Sequence, residues 1–165
     1  MKYFLFLLLG FPAWGFGQTK GATLKAVVAT YDASSKQIAL TCKLTNGDSA
    51  QVFYKPEQWN YCAGLSYLTV LDTQTQTQLR YFPCTARMDL DRVQLTATNS
   101  VALQPHASYT FVQYIKFPNL SPQLVKGHRY TVTFAINHTY LCGGDKCNVF
   151  TGSLRSNAVS FTVPK

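Results

Sequence analysis

The residues able to do chemistry are few and scattered. Three histidines (His106, His128 and His138), five cysteines and seven acidic residues are spread over 165 positions. A hydrolytic site needs a nucleophile held beside a base, with a third group orienting the base. No such set is assembled locally. His106 sits in a Pro-containing turn and His128 just ahead of Tyr130, and neither is part of a G-x-S-x-G, H-E-x-x-H, phosphate-loop or dinucleotide motif. The carboxylates that could form a glycosidase pair are Glu57, Asp89 and Asp91, and the i, i+2 spacing of the last two suits a solvated strand edge or turn. The expectation is a protein that is not an enzyme and carries no cofactor. The sharpest metal pattern is His138-x3-Cys142-x4-Cys147, whose imidazole and thiolates suit zinc or copper. It lacks a fourth local ligand, and a disulfide-closed loop is the preferred reading, with no metal assigned.

The cysteines are Cys42, Cys62, Cys84, Cys142 and Cys147. Their redox state depends on the compartment, and the N-terminus speaks to that. Lys2 is followed by an apolar run from Tyr3 to Leu9 and then by Gly15-Phe16-Gly17, the small-x-small pattern of an export-signal cleavage site. Gly10, Pro12 and Gly15 interrupt the stretch well short of the roughly 20 apolar residues a membrane span needs. The reading is a signal peptide over 1–17 and one domain over 18–165, secreted or periplasmic, with no membrane span. An oxidising compartment makes pairing the default. An odd number leaves one thiol over. The local pairing, Cys142–Cys147 with Cys62–Cys84, is preferred, because two glycines ease the tight Cys142-Gly143-Gly144-Asp145-Lys146-Cys147 loop. The crossed pairing, joining Cys62 and Cys84 to Cys142 and Cys147, stays open.

Composition narrows the partners. The chain is 47% hydrophobic, 14% aromatic and only 13% charged, which excludes a disordered chain and a coiled coil. The formal net charge is +8, but the cations stand singly rather than in runs. That argues against nucleic acid, whose recognition wants clustered cations, and leaves a general attraction to acidic envelope surfaces. Aromatic residues in loops are natural anchors for a partner. Trp59, Tyr61, Tyr140 and Lys146 are the candidates, beside Pro56 and the Cys142–Cys147 loop; core packing is the competing role for Trp59.

These loops must be carried by strands. Ile38-x-Leu40-x-Cys42-x-Leu44, Tyr130-x-Val132-x-Phe134-x-Ile136 and Val159-x-Phe161-x-Val163 alternate with period two. Tyr109 and Phe111 begin another run, with Val112, Tyr114 and Lys116 on its opposite face. Strands are predicted at 22–31, 37–45, 50–55, 65–72, 77–83, 93–103, 108–116, 128–138 and 156–163. Turn residues separate them at Asp32–Ser35, Asn46-Gly47-Asp48, Gln74–Gln76, Gln104-Pro105-His106 and Lys126-Gly127. No convincing helical stripe is present.

Leu40-Thr41-Cys42-Lys43, with Trp59 seventeen residues on, resembles the second strand and core Trp of immunoglobulin-like domains. Leu124-x-x-Gly127-x-x-Tyr130 resembles their tyrosine corner, and Leu103-Gln104-Pro105-His106-Ala107-Ser108-Tyr109 a second one. Val132 stands where the partner cysteine of that family belongs, so the resemblance implies that the inter-sheet disulfide is absent and that Cys42 is the thiol left over, a buried free thiol on a strand. Leu44-Thr45-Asn46-Gly47-Asp48, Leu103-Gln104-Pro105 and Gly127-His128-Arg129-Tyr130 are similar in order to the all-β domains attached to secreted bacterial peptidases. The resemblance implies a single antiparallel immunoglobulin-like β-sandwich, to which the cysteine reading adds disulfide-closed loops. Export, strand periodicity, the tyrosine corner and the lack of an assembled catalytic motif point to an interaction or accessory module for a protein or cell-envelope component. The similarity to peptidase-attached domains offers a peptidase inhibitor or pro-domain-like protein as the alternative, and the His138–Cys142–Cys147 pattern a small metal-binding protein as the third choice. The sequence assigns no oligomeric state.

Overall fold

In the computed structural model the described residues are 21–58, 66–81, 96–116, 120–121, 123–138 and 149–165. They form an all-β architecture of antiparallel sheets. The strands are β1 (Thr23–Asp32), β2 (Gln37–Thr45), β3 (Gln51–Tyr54), β4 (Ser66–Asp72), β5 (Gln78–Tyr81), β6 (Ser100–Leu103), β7 (Ser108–Lys116), β8 (Leu120–Ser121), β9 (Arg129–Asn137), β10 (Ser153–Arg155) and β11 (Val159–Thr162). A 3-10 turn, Pro56–Gln58, follows β3. Among the described residues no helix is long and apolar enough to cross a membrane.

Two sheets carry most of the molecule. One has the order β1-β2-β7; the other runs β10-β9-β4-β5-β8, with β11 also pairing β9. A short β3-β6 ribbon stands beside them. The period-two pattern decides which side chains meet between the layers, since successive residues of a strand point to opposite faces. Ile38, Leu40, Cys42 and Leu44 of β2 are buried, as are Tyr130, Val132, Phe134 and Ile136 of β9. They belong to one continuous core with Phe111 and Ile115 of β7, Val70 of β4 and Phe161 of β11. Phe111 meets Phe134 edge to face at 6.0 Å, joining the two layers. The arrangement is sandwich-like.

β1 keeps its apolar residues inward only by adding one. Lys25 pairs Lys43 and Ala26 pairs Cys42, but Val28 pairs Thr41, so Val27 is the extra residue of a β-bulge. Without it every residue after Ala26 would face the wrong side. The bulge is held from outside by Asn157: the Ala26 N–H donates to Asn157 Oδ1 at 3.0 Å, and Asn157 Nδ2 donates to the Ala26 carbonyl at 3.1 Å. A side-chain amide thus replaces a neighbouring strand at that point.

The strands predicted at 37–45 and 108–116 match β2 and β7 end to end, and most others agree within a residue or two. Two readings are corrected. Within the predicted strand 93–103, Thr96–Asn99 is a hydrogen-bonded turn, with Ser100 N–H donating to the Thr96 carbonyl at 3.0 Å, and pairing starts at Ser100; residues 93–95 lie outside the described residues. The predicted strand 156–163 pairs only over Val159–Thr162, as β11; a further piece, β10, precedes the predicted range on the same edge of β9, and the break falls where Ser156 and Asn157 turn their side chains to backbone groups of β9 and β1. The turn residues predicted at Asn46-Gly47-Asp48 do separate β2 from β3. Asn46 is buried, its Nδ2 donates to the carbonyls of Ser49, Leu103 and Gln104, and its Oδ1 accepts from Gly47 N–H. Gly47 is required there, because a Cβ would occupy the space of the Gly21 backbone.

Candidate functional site

The first set of chemical groups gathers where β4 ends and β9 begins. Gly127, at φ +80°, turns the chain into β9 in a conformation that favours glycine. Tyr130, the second residue of β9, is buried and its hydroxyl accepts the Val125 N–H at 2.8 Å. The expected tie from Tyr130 back to upstream backbone is therefore present. Beside it, Asp72 is also buried, and its Oδ1 accepts the N–H groups of Gln74 and Thr75 at 2.8 and 3.2 Å. Its Oδ2 accepts a bond from His128 Nδ1 at 2.7 Å. These bonds, the one from His128 above all, hold the Asp72 carboxyl down at about 2. A carboxylate–imidazole pair of this kind would orient a base if a nucleophile faced it. Among the described residues no hydroxyl or thiol is hydrogen-bonded to His128. The pair instead fastens the β4–β5 turn to the β9 corner, assisted by Thr73, whose Oγ1 and N–H both donate to the Arg129 carbonyl.

The second set is Glu57 and Tyr109. The only glutamate accepts the Tyr109 hydroxyl proton at Oε1, while among the described residues its Oε2 is buried without a hydrogen-bond partner. Burial first, and the adjacent carboxylate second, push the Tyr109 phenol above its usual range. The anticipated second corner at Tyr109 is corrected here. Its hydroxyl goes to Glu57, whose 3-10 turn packs against β7, rather than to upstream backbone.

The remaining candidates stand apart. Cys42 is a free, fully buried thiol, and desolvation pushes it up to about 12, far from the reactive thiolate range. His106 is exposed at a left-handed turn position (φ 61°), with Asp48 at 3.9 Å. His138 follows β9 and is fully buried, its ring edge-on to Phe150 at 6.2 Å and its backbone N–H bonded to the Gly152 carbonyl. Burial lowers its imidazole to about 4, so it is neutral at pH 7.

Cys62, Cys84, Cys142, Cys147, Trp59, Tyr61, Tyr140 and Lys146 lie outside the described residues. The strands flanking them are informative. Ser66 opens β4 opposite Ile136 near the end of β9, and β5, antiparallel to β4, closes at Tyr81 on the same side. Beyond β9, Val149 bridges Val52 of β3, and Phe150 stacks on Phe53 at 5.0 Å. The start of β4, the end of β5 and the end of β9 therefore lie at one end of the β4–β5–β9 sheet.

Sequence reasoning missed the Asp72–His128 and Asn157–Ala26 partnerships. Asp72 ahead of Thr73-Gln74-Thr75 carries a local Asx-turn signal. Its distant partner carries none. Among the described residues no three His, Cys, Asp or Glu side chains gather into a metal-binding group. Comparison with known proteins finds no family model and no curated protein that matches the chain.

Proposed function

We propose that the chain is an exported, non-catalytic interaction module with an immunoglobulin-like sandwich, acting at the cell envelope on a protein or envelope component. Strand order supports the fold reading. The β1-β2-β7 sheet corresponds to strands A, B and E of such domains, and β10/β11-β9-β4-β5 to G, F, C and C′. The tyrosine corner falls on β9, the F position, and Cys42 on β2, the B position.

The observation that carries the functional reading is how the described chemical groups are used. Asp72, His128, Tyr130, Tyr109 and Glu57 bond to one another or to nearby backbone, in arrangements that brace turns and corners. What the sandwich offers to solvent is rigid strand surface and the loops at its ends, and loops on a fixed scaffold commonly carry recognition. Export rests on the N-terminal leader pattern. The test has two arms. Intact-mass analysis of chain expressed with its leader should give a mature form beginning at Gln18. That form should then bind isolated envelopes saturably in sedimentation assays. Retention of residues 1–17 together with no saturable binding overturns the reading.

A further inference from the structure

The outer face of the β1-β2-β7 sheet has a composition that the core does not explain. Its cross-strand rows follow from the register. Lys25 lies directly opposite Lys43, Val28 opposite Thr41, and Ala39 is flanked by Thr30 and Tyr114. Side chains directly opposite on one face have Cβ atoms about 5 Å apart, and like charges placed so destabilise a sheet. Among the described residues neither lysine has an anionic partner; the only ion pairs there involve His106 and His128. Lys116, on the same face of β7, adds a third cation six strand positions from the Lys43 row, about 20 Å away. The one acid of the face, Asp32, is occupied in capping its own turn through Ser34 and Ser35. The strand pattern thus retains an uncompensated cation pair at a cost to folding.

The centre of the face is flat. Ala39 and Thr41 of β2 are small, and Tyr114, 55% exposed, stands beside Ala39 on the edge strand. A protein–protein hot spot wants a contiguous apolar centre that can be fully dried. Here the exposed valines at the β1 bulge, Val27 and Val28, are separated from Tyr114 on β7 by the width of β2. A duplex nucleic acid wants a denser set of cations. A ring stacked on an exposed phenol, hydroxyl-bearing threonines around it, and cations at both ends fit a chain of anionic sugars lying along the strands.

We propose that this face binds an anionic polysaccharide, with Tyr114 stacking on a sugar ring and Lys25, Lys43 and Lys116 pairing with its carboxylates or sulfates. The proposal deepens the interaction-module reading and rests on it. It predicts that the purified chain binds an oligogalacturonate in calorimetric titration and binds a neutral dextran oligomer of equal length much more weakly. Lys25→Gln/Lys43→Gln should weaken binding about tenfold. Tyr114→Ala should weaken it severalfold and reduce the preference for sugar over duplex DNA. Tyr67→Ala, an exposed tyrosine of β4 on the other sheet, should change nothing, and circular dichroism checks that each variant keeps its strands.

Equal affinity for oligogalacturonate and for duplex DNA, with Tyr114→Ala without effect, reduces the face to unspecific charge attraction and overturns the proposal. So does the absence of any oligogalacturonate binding. The module reading is judged separately. Saturable envelope binding that survives both the double lysine variant and removal of acidic polysaccharide refutes this face while sparing that reading, whereas no envelope binding at all refutes both.

Discussion

Asp72 serves two partners with one carboxylate. Oδ1 closes the turn after β4, and Oδ2 accepts a hydrogen bond from His128 just ahead of β9, so both need the ionised form. The group's folded value of about 2 lies below its usual 3.8. A carboxyl depressed in the folded state contributes stability above its unfolded value, and that contribution is lost as pH falls toward the folded one. Stability measured by urea unfolding should therefore decline between pH 4 and pH 2 more steeply in the natural chain than in Asp72→Asn, which should start lower at neutral pH. Parallel profiles for the two proteins would mean that the bond to His128 adds nothing. Tyr109 and Glu57 make a comparable pair at the other side of the core, where the 3-10 turn meets β7.

At the scale of elements, β1 is the strand that depends most on help from elsewhere. Its bulge at Val27 keeps Leu24, Ala26 and Ala29 inward across a change of phase, and the amide of Asn157 supplies the two hydrogen bonds a strand neighbour would have made. Asn157→Ala removes both while leaving the pair of backbone groups on Ala26. The expected loss is about 1–3 kcal/mol by urea midpoint with the slope unchanged, together with faster amide exchange at Ala26. An unaltered exchange rate would show that β1 holds its bulge unaided.

The same strand marks the limit of sequence reading. Period-two alternation over Ile38–Leu44 and Tyr130–Ile136 reports one face buried against a core, which is why β2 and β9 were legible. The outward placement of Val112, Tyr114 and Lys116 on β7 follows from that alternation too. A bulge breaks the period without announcing where. A strand of two residues such as β8 has no period at all. The break between β10 and β11 exists because Ser156 and Asn157 found backbone partners far away in the chain, and short-range patterns carry no trace of such partners. For the same reason the tyrosine corner could be read from its spacing, whereas Tyr109, with a similar spacing, took Glu57 instead. The lysine pair on the outer face needed the register of β1 against β2, which only the folded sheet supplies.

For the whole molecule, the two layers share one core, and β2 lies at the centre of its sheet with both neighbours paired along its length. Removing volume there should be costly. Leu40→Ala, at a fully buried position facing β9's layer, is expected to lower stability by about 2–5 kcal/mol in urea unfolding, against less than about 0.5 kcal/mol for Thr110→Ala on the exposed side of β7. Comparable losses at the two sites would deny that the layers pack as a common core.

Cys42 sits in that same central strand, closed off by both sheets, its thiol held protonated at neutral pH. An alkylating reagent can reach the sulfur only when the layers part, so the rate at which the Cys42 peptide gains mass is a clock for opening of the entire sandwich. Any molecule that clamps the folded form, whichever surface it grips, should slow that clock in proportion to its occupancy. The protein thereby carries its own internal gauge for finding what it binds.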